Sequence, residues 1–464
     1  MARSSRLFPT PEGPCRAMHS PSLNSNETEM CKRVSALTVS MTFMTFQGDA
    51  LHWRRPLTIL RIRGCAVSPL DVFRPSTGQS SVVRNGCGVD GTKLFSSFDQ
   101  TRRSRPAAAR PIAPNPQAIN AVAVHFCRLG APMYAHEKVA LSAVAESIAR
   151  LSGYRYAGIF DANKHSTANL FFVPDDTLML DEAGNLGISS PRQLYGAVVP
   201  YPFAKTKAIT HRLINALAAH PCGWSAAFAE NVSNAVLPGY TIFNADNARS
   251  AAMRLLSLGP VRIKQPLGDG GHGQNVVCTI AELNAFLENL PSEKIGCHGL
   301  VLETDLRRVT TRSAGYTMVG DRTIAYHGIQ RSVTNNHGVS VYGGSHLICV
   351  RGGWAELLNL PMDTETRLAI TQARTYDRNA NNYPGFLASR RNYDVGQGFD
   401  GRGQWRSGVF EASWRSGGAS TAELAALTAL TQDSALQVVE ATSVKHFGKA
   451  TQTAPRRGSS LLRE

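Results

Sequence analysis

Four glycines fall within six residues, 268–273 (GDGGHG), between two stretches with the pattern of β-strands, 261–266 and 274–279. A two-residue hairpin turn needs only one or two glycines, which tolerate positive φ angles without strain. A longer glycine loop exposes backbone N–H groups that suit phosphate oxygens. The segment therefore predicts either a simple turn between strands or a flexible lid over a phosphate group.

The same six residues match the pattern GxGxxG, which in dinucleotide-binding folds joins a strand to a helix. Here the glycines are followed by a second strand pattern, QNVVCT, and not by a helix. The sequence therefore predicts a β-hairpin and argues against a dinucleotide-binding fold at this place. Lys264, on the incoming strand, is positioned to present its ammonium group to phosphates.

Helix signals lie on both sides of this hairpin. Residues 244–259 (NADNARSAAMRLLSLG) predict a helix with Asp246 as the N-cap and Gly259 as the stop. Thr279 and Glu282 have the spacing of a capping box, which predicts a helix over 280–290.

Composition predicts a globular protein with basic ends. Of the 464 residues 43% are hydrophobic, and none of the apolar runs reaches the roughly 18 residues that a membrane helix needs. The nine cysteines are scattered without a CxxC pair, so we expect no zinc module, no dense disulfide framework and a reducing, cytoplasmic location. The pattern predicts a disordered basic extension over 1–118, a small α/β domain over 119–200 and a basic tail over 446–464.

The net charge of +15 raises the hypothesis of a nucleic-acid-binding protein, which its distribution does not favour. Residues 1–118 carry a net charge of +9, and the remaining residues carry +6. The longer part of the chain shows no basic stripe interleaved with aromatic residues. We therefore expect no specific nucleic acid and no membrane among its partners.

Two carboxylates stand out further along the chain. A strand pattern ends at Asp394, a glycine-rich connection follows, and a second strand pattern contains Glu411. If the two strands pair, both side chains face one side of the sheet and can share a divalent cation such as Mg²⁺. Arg415 is suited to stabilise phosphoryl charge. The alternative is that these are solvated surface residues, with Arg415 in a surface ion pair.

Taken in order, these motifs resemble the ATP-grasp superfamily, and in particular an uncharacterised bacterial family of unknown function. The resemblance covers about residues 201–445 and implies an α+β protein in which an ATP-grasp nucleotide-binding and catalytic domain follows the small α/β domain. It implies ATP and Mg²⁺ as cofactors. Lys207, with Lys205 as a less well placed substitute, and Lys264 match the ATP lysines. The lid and adenine hinge match Gly268, Gly270, Gly271, Gly273, Glu303, Thr304, Asp305 and Leu306, and the metal ligands match Asp394, Glu411 and Ser413.

Two positions depart from the pattern of the superfamily. Ser413 stands where asparagine is usual, and the acidic residue that grips ribose soon after the hinge is not evident, with Tyr316 and Thr317 nearby. These departures favour an alternative hypothesis, a nucleotide-binding module or pseudoenzyme without turnover. The presence of both lysines together with Asp394 and Glu411 favours an enzyme, because a protein that only binds nucleotide does not need two metal carboxylates.

The resemblance implies a ligase that uses ATP to convert a carboxylate into an acyl phosphate, which an amine or similar nucleophile then attacks. The partners would be ATP, an unknown small carboxylate and an unknown acceptor. We place the second-substrate surface in residues 326–353, between the hinge and the metal residues. Arg331, predicted to be catalytic together with Arg415, and His337 and His346 are the candidates there, each with the alternative of a structural role.

Overall fold

The computed structural model describes residues 37–44, 59–62, 118–128, 135–268, 273–334, 338 and 340–446. Gly270, Gly271 and His337 lie outside the described residues, as does all but the first residue of the predicted tail, 446–464. Most of the predicted extension, 1–118, also lies outside them. Within that span the structure places two strands in the largest sheet, whereas the sequence predicts a segment without a fold.

The structure contains one large sheet and three smaller ones in its described residues. The strands are β1 (Leu37–Met44), β2 (Ile59–Ile62), β3 (Ala121–His125), β4 (Arg155–Ile159), β5 (Leu170–Pro174), β6 (Leu178–Met179), β7 (Ala197–Val199), β8 (Gly239–Ile242), β9 (Val261–Lys264), β10 (Gln274–Val277), β11 (Leu300–Thr304), β12 (Arg307–Val319), β13 (Arg322–Thr334), β14 (Ser340–Arg351), β15 (Leu387–Ala388), β16 (Arg390–Phe399), β17 (Trp405–Ser413) and β18 (Val438–His446). In the large sheet the strand order is β17-β16-β12-β13-β14-β18-β1-β2, and in the second sheet it is β10-β9-β11-β8. The two three-stranded sheets have the orders β15-β7-β6 and β4-β3-β5.

The helices pack on the faces of these sheets. They are α1 (Ala135–Ser152), α2 (Leu180–Asn185), α3 (Ala226–Asn231), α4 (Ala245–Leu256), α5 (Ile280–Glu288), α6 (Ser292–His298), α7 (Trp354–Leu358), α8 (Thr364–Asn381) and α9 (Ser420–Gln432). The fold class is therefore α+β, as the sequence predicts. None of the helices in the described ranges is long and apolar enough to cross a membrane.

The three-stranded sheet β4-β3-β5 is parallel. Its central strand, β3, pairs with β4 and with β5 in the same direction. Parallel neighbours need a crossover connection, and α1 provides it between β3 and β4. The carboxyl ends of all three strands therefore lie at one edge. This arrangement is a small α/β unit, and its predicted boundaries at 119 and 200 stay a prediction.

The glycine loop connects two antiparallel strands, which confirms the predicted hairpin. Gln274 pairs with Lys264 where the loop begins and ends, and β11 pairs with the other side of β9. Helices α4 and α5 cover this sheet with a shared apolar core that includes Ala251 and Leu283. The hairpin is therefore held on a rigid base.

The helix caps agree with the sequence in one case and differ in the other. Thr279 caps α5 by accepting from the backbone N–H of Glu282, as predicted. Asp246 is not the N-cap of α4, because the Asn244 side chain accepts from the backbone N–H of Asn247 at 2.8 Å. Asparagine caps as well as aspartate does, so the helix begins two residues earlier.

The large sheet has a helix on each face. Ile324 and Tyr326 of β13 pack in the core that contains α9, whereas the intervening Ala325 packs in the core that contains α8. This alternation is the ordinary consequence of strand geometry. On β16 and β17, Asp394 and Glu411 are direct cross-strand partners, beside a register shift between Asp394 and Val395. They therefore lie on one face, as predicted, next to a bulge.

A histidine in this sheet should make stability depend on pH. Burial, and then the charge of Arg312, lower the pKa of His327 to about 4. The unfolded chain binds a proton there below about pH 6.5. Stability is therefore full above about pH 6.5 and falls as the pH drops towards 4. Between pH 7.5 and pH 5, His327→Gln should remove roughly 2 kcal/mol of the decrease in unfolding free energy measured with urea.

The matched control for this experiment is His220→Gln, since His220 is an exposed residue outside the sheets. It should leave the pH dependence of the wild type unchanged. An equal loss of stability between the two pH values in His327→Gln and the wild type would contradict the prediction.

Candidate nucleotide and metal site

A buried ion pair lies at the base of the glycine hairpin. Lys264 on β9 and Glu303 on the neighbouring strand β11 bring Nζ and Oε1 to 2.6 Å, and both side chains are almost completely buried. Burial alone would raise the pKa of Glu303, but Lys264 and the contact with His211 hold the pKa of this carboxyl below its usual range. Glu303 Oε1 has no donor aligned for a hydrogen bond among the described residues.

His211 completes this group, and the sequence analysis missed it. Its Nε2 lies 3.1 Å from Glu303 Oε2, and its side chain is 1% exposed. The ring packs on Gly239 so closely that a Cβ there would lie 2.8 Å from His211 Cε1. The only local signal is its position four residues after Lys207, because Glu303 lies far away in the sequence.

Lys207 joins the glycine loop to the predicted metal site. It lies in a short 3₁₀ turn, Lys207–Ile209, and its side chain is 9% exposed. Its Nζ lies 2.6 Å from Glu411 Oε2 and donates a hydrogen bond to the Gly268 carbonyl. One ammonium group therefore contacts both the start of the loop and one of the paired carboxylates.

Lys264 reaches the same strand from the other sheet. Its Nζ lies 3.3 Å from the Phe410 carbonyl oxygen and 4.4 Å from the centre of the Phe410 ring. Phe410 directly precedes Glu411 on β17. The two predicted ATP lysines therefore converge on adjacent residues, although they come from different parts of the chain.

The remaining loop and hinge residues have mainly backbone or packing contacts. Gly273 has a φ angle of +70°, so a turn without strain requires glycine there. Asp305 Oδ1 lies 2.5 Å from Arg262 Nη2, and the Thr304 hydroxyl donates to the Pro238 carbonyl. Leu306 is buried. The part of the loop that the structure describes thus supports the turn explanation at Gly273 and a lysine contact at Gly268.

The predicted metal carboxylates differ in their surroundings. Oδ1 of the half-buried Asp394 accepts hydrogen bonds from Ser313 Oγ at 3.0 Å and from Asn392 Nδ2 at 2.9 Å. Burial, and then the charge of Glu411, raise the pKa of Asp394. The Glu411 side chain is 31% exposed. A divalent cation bound between this half-buried carboxylate and Glu411 would relieve their mutual repulsion.

Asp394 and Glu411 fit a magnesium ion that takes its other ligands from phosphate and water. In the described ranges no group of three or more histidine, cysteine or acidic side chains is placed to hold a metal. Mg²⁺ commonly binds one or two carboxylates and completes its shell with phosphate oxygens and water. Asp394 and Glu411 provide the two carboxylates, both with oxygen donors that this ion prefers.

Ser413, the third predicted metal ligand, is engaged by an arginine. Arg390 Nη1 donates to the Ser413 carbonyl at 3.1 Å and contacts its Oγ at 3.4 Å. The residue directly opposite Ser413 on β16 is Asn392, whose carboxamide contacts Asp394. The neighbouring strand therefore brings a carboxamide to Asp394, which sequence order alone could not indicate.

Arg415 lies at the edge of the parallel sheet. Its Nε is 3.7 Å from Asp176 Oδ1, and Lys205 Nζ is 2.9 Å from Asp176 Oδ2. Asp176 follows β5, at the carboxyl end of the parallel strands and beside the central strand β3. Such an edge, where the strand order reverses, is a common place for ligands. Lys205, the predicted substitute for Lys207 as an ATP lysine, thus belongs to the cluster around Asp176, whereas Lys207 lies beside Glu411.

Of the candidates in 326–353, the structure describes Arg331 and His346, and neither contacts the carboxylates. Gln330 donates to Ser313 Oγ beside Asp394, so the next residue, Arg331, projects to the opposite face, where it is exposed. His346 Nδ1 lies 3.0 Å from Thr442 Oγ1. The catalytic role of Arg331 and the second-substrate surface in this segment stay predictions.

Fold and site together define an α+β protein whose two sheets bring a glycine hairpin and two lysines to a pair of carboxylates. The chain belongs to the family described as Protein of unknown function (DUF3182), whose model matches residues 127–460. This confirms the expectation of a family of unknown function. No curated protein matches the chain.

Solved structures to which the chain is similar include three ligases or synthetases. D-alanyl-alanine synthetase A from Vibrio cholerae is 12% identical, with 64% of this chain and 89% of that chain covered and a TM-score of 0.38. N5-carboxyaminoimidazole synthetase from Staphylococcus aureus, complexed with ADP, is 14% identical, with 70% and 79% covered and a TM-score of 0.36. Phosphoribosylamine–glycine ligase from Thermotoga maritima is 12% identical, with 68% and 72% covered and a TM-score of 0.37.

Proposed function

We propose that this protein is an ATP- and Mg²⁺-dependent ligase that activates a carboxylate as an acyl phosphate for attack by an amine or similar nucleophile. The observation that carries the proposal is the convergence of Lys207 and Lys264 on residues 410–411, beside the paired carboxylates. Two cations and a metal-binding pair are the groups that a transferring phosphoryl group needs around it.

Nucleotide would bind between the hairpin sheet and the large sheet. The ammonium groups of Lys207 and Lys264 would neutralise phosphate oxygens. Without nucleotide, both lie against carboxylates that balance their charge. Glu303 Oε1, which lies against Lys264 but has no aligned donor among the described residues, would accept a hydrogen bond from the exocyclic amine of adenine. His211 would hold the opposite oxygen of the same carboxylate in place.

Asp394 and Glu411 would hold Mg²⁺. Bound there, the ion would neutralise charge that develops on the phosphates during transfer. Glu411 is now paired with Lys207, so a cation at Glu411 would release the Lys207 ammonium towards the phosphates. Glu411 would thus exchange Lys207 for the metal ion, and Lys207 would exchange Glu411 for a phosphate, so that both charges stay paired.

The reaction would proceed in two steps. A substrate carboxylate oxygen attacks the γ-phosphorus of ATP, ADP leaves, and an acyl phosphate forms. The amine then attacks the acyl carbon, phosphate leaves, and a proton is lost from nitrogen. The chain's part is to position the reactants and to neutralise charge, which is why the site needs lysines and no nucleophilic side chain. The cluster of Asp176, Lys205 and Arg415 is the place we assign to a charged second substrate.

A second candidate function is a nucleotide-binding module without turnover. The observation that favours it is the engagement of Ser413 by Arg390, which leaves two carboxylates as the metal-binding set in the described residues. The two functions predict the same ATP contacts. They differ in whether Mg²⁺ and a second substrate cause ATP to be consumed.

The test uses the full chain. Calorimetry should show that ATP binds at least tenfold more tightly with Mg²⁺ than without it, because the ion relieves the repulsion between Asp394 and Glu411. Phosphate release from ATP and Mg²⁺, measured with pools of amino acids and small carboxylates, should rise in at least one combination. Tight binding without phosphate release in any pool would favour the binding module. Binding that is indifferent to Mg²⁺ would contradict the metal site.

A further inference from the structure

A fully buried carboxylate lies beneath the predicted metal site. Glu423, on α9, is 0% exposed and accepts hydrogen bonds from five donor atoms. The donors belong to four residues: Tyr195 (2.9 Å), Thr317 (2.7 Å), Tyr326 (2.8 Å) and Arg390 (3.1 and 2.6 Å). A buried charge with this many partners is rigid, because each contact would be lost at a high cost in desolvation.

Glu423 and Arg390 are held in their charged forms. Although burial favours the neutral form of Glu423, the adjacent Arg390 and the hydroxyl donors hold the pKa of the carboxyl below its usual range. Arg390 is 1% exposed, so both members of the pair are shielded from water. Such a pair contributes little net stability compared with apolar residues, but it fixes geometry and is costly to break.

One branch of the group reaches the metal carboxylate through two hydrogen bonds. Tyr326 Oη lies 2.8 Å from Glu423 Oε1 and 3.0 Å from Asn392 Oδ1, and Asn392 Nδ2 donates to Asp394 Oδ1. The amide orientation matters here, because a reversed Asn392 would turn its carbonyl oxygen towards an ionised Asp394. The Tyr326 hydroxyl has a single hydrogen, which it shares between Glu423 Oε1 and Asn392 Oδ1, and this contact holds the amide carbonyl on the far side.

The same contacts select the oxygen that remains for a cation. The hydrogen bonds from Ser313 and Asn392 both end on Asp394 Oδ1. Oδ2 carries neither of these two bonds, and it is the oxygen that we assign to a metal shared with Glu411. Outer contacts of this kind orient ligating carboxylates in metal sites, and their removal typically weakens metal binding by 10- to 100-fold.

We propose that Tyr326 and Asn392 are positioning residues for the metal carboxylate Asp394, anchored on the buried pair of Glu423 and Arg390. This proposal rests on the proposed function, since it assumes that Asp394 and Glu411 bind a divalent cation. Tyr326 and Asn392 act through Asp394 and do not themselves touch the metal or the nucleotide.

The test compares two tyrosines that both contact Glu423. Tyr326 and Tyr195 are both fully buried and both donate to Glu423, but only Tyr326 also contacts Asn392. Tyr326→Phe and Tyr195→Phe each remove one hydroxyl and keep the ring. The measurements are the affinity for Mn²⁺, by electron paramagnetic resonance with ADP present, the affinity for ADP without metal, and the melting temperature.

We expect Tyr326→Phe to weaken Mn²⁺ binding by roughly tenfold and to leave ADP affinity without metal within twofold of the wild type. Both variants should lower the melting temperature to a similar extent, since each loses one hydrogen bond to Glu423. Tyr195→Phe should leave the affinities for Mn²⁺ and for ADP unchanged. Equal Mn²⁺ affinities in the two variants would overturn the positioning role and reduce the network to a structural one. If Tyr326→Phe fails to fold, Asn392→Leu takes its place with the same expected loss.

The outcome for the wild type separates this proposal from the proposed function. A wild type that binds no Mn²⁺ with ADP present would overturn the metal site, and the positioning role with it. A wild type that binds Mn²⁺, together with variants that bind it equally well, would overturn the positioning role alone and leave the ligase proposal standing.

Discussion

Glu411→Gln should fold as the wild type does and lose phosphoryl transfer by on the order of two to three powers of ten. The side chain is partly exposed and glutamine has almost the same shape, so little packing changes. The substitution removes one of two metal carboxylates and the ion pair with Lys207, whose hydrogen bond to the Gly268 carbonyl remains. ATP affinity without Mg²⁺ should therefore weaken far less than turnover does.

The measurement is phosphate release from ATP and Mg²⁺ with the active substrate pool, beside calorimetric ATP affinity with and without Mg²⁺. Glu293→Gln is the matched control, because Glu293 is an exposed glutamate in the first turn of α6. It should behave as the wild type in every measurement. Unchanged turnover and unchanged Mg²⁺ dependence in Glu411→Gln would remove this residue from the site.

Lys264→Met should destabilise the protein by about 3–5 kcal/mol, because it leaves the fully buried Glu303 without its cation. It should also weaken ATP binding by about 1–3 kcal/mol through the loss of a charge-assisted phosphate contact. The first effect follows from the structure and was not evident in the sequence, where Lys264 is only a phosphate-binding candidate. Urea unfolding and calorimetry measure the two effects separately.

The double variant Lys264→Met with Glu303→Gln distinguishes the two consequences. Neutralising Glu303 removes the uncompensated charge, so most of the lost stability should return. ATP affinity should not return, since neither the ammonium group nor the carboxylate is restored. A double variant as unstable as Lys264→Met alone would show that the loss does not come from an unpaired buried carboxylate.

Much of the local structure follows from short-range signals in the sequence. The hairpin at 261–279 was predicted because glycines interrupt two strand patterns, and the structure pairs those strands directly. The start of α5 was predicted because Thr279 offers a side-chain oxygen to nearby backbone N–H groups. The pairing of Asp394 with Glu411 also follows from their places on consecutive strands. Such features depend on residues a few positions apart or on one hairpin connection.

Positions that depend on strand alternation were harder to predict. The sequence places Arg331 in a polar segment near the metal residues, but which face a strand residue occupies depends on the register of the whole sheet. Gln330, its neighbour, is the residue whose side chain reaches the carboxylate face. For the same reason Asn392, opposite Ser413, supplies a carboxamide that sequence order does not reveal.

The sequence by itself determined the chemical inventory of the candidate site: a glycine hairpin, two lysines and a pair of carboxylates on adjoining strands. Only the tertiary structure decided which buried partners surround them. His211 meets Glu303 across 92 positions of the chain, and Tyr326 meets Glu423 across 97. Periodicity and capping act over a few residues, whereas the burial of a charge is settled only when distant strands and helices close around it.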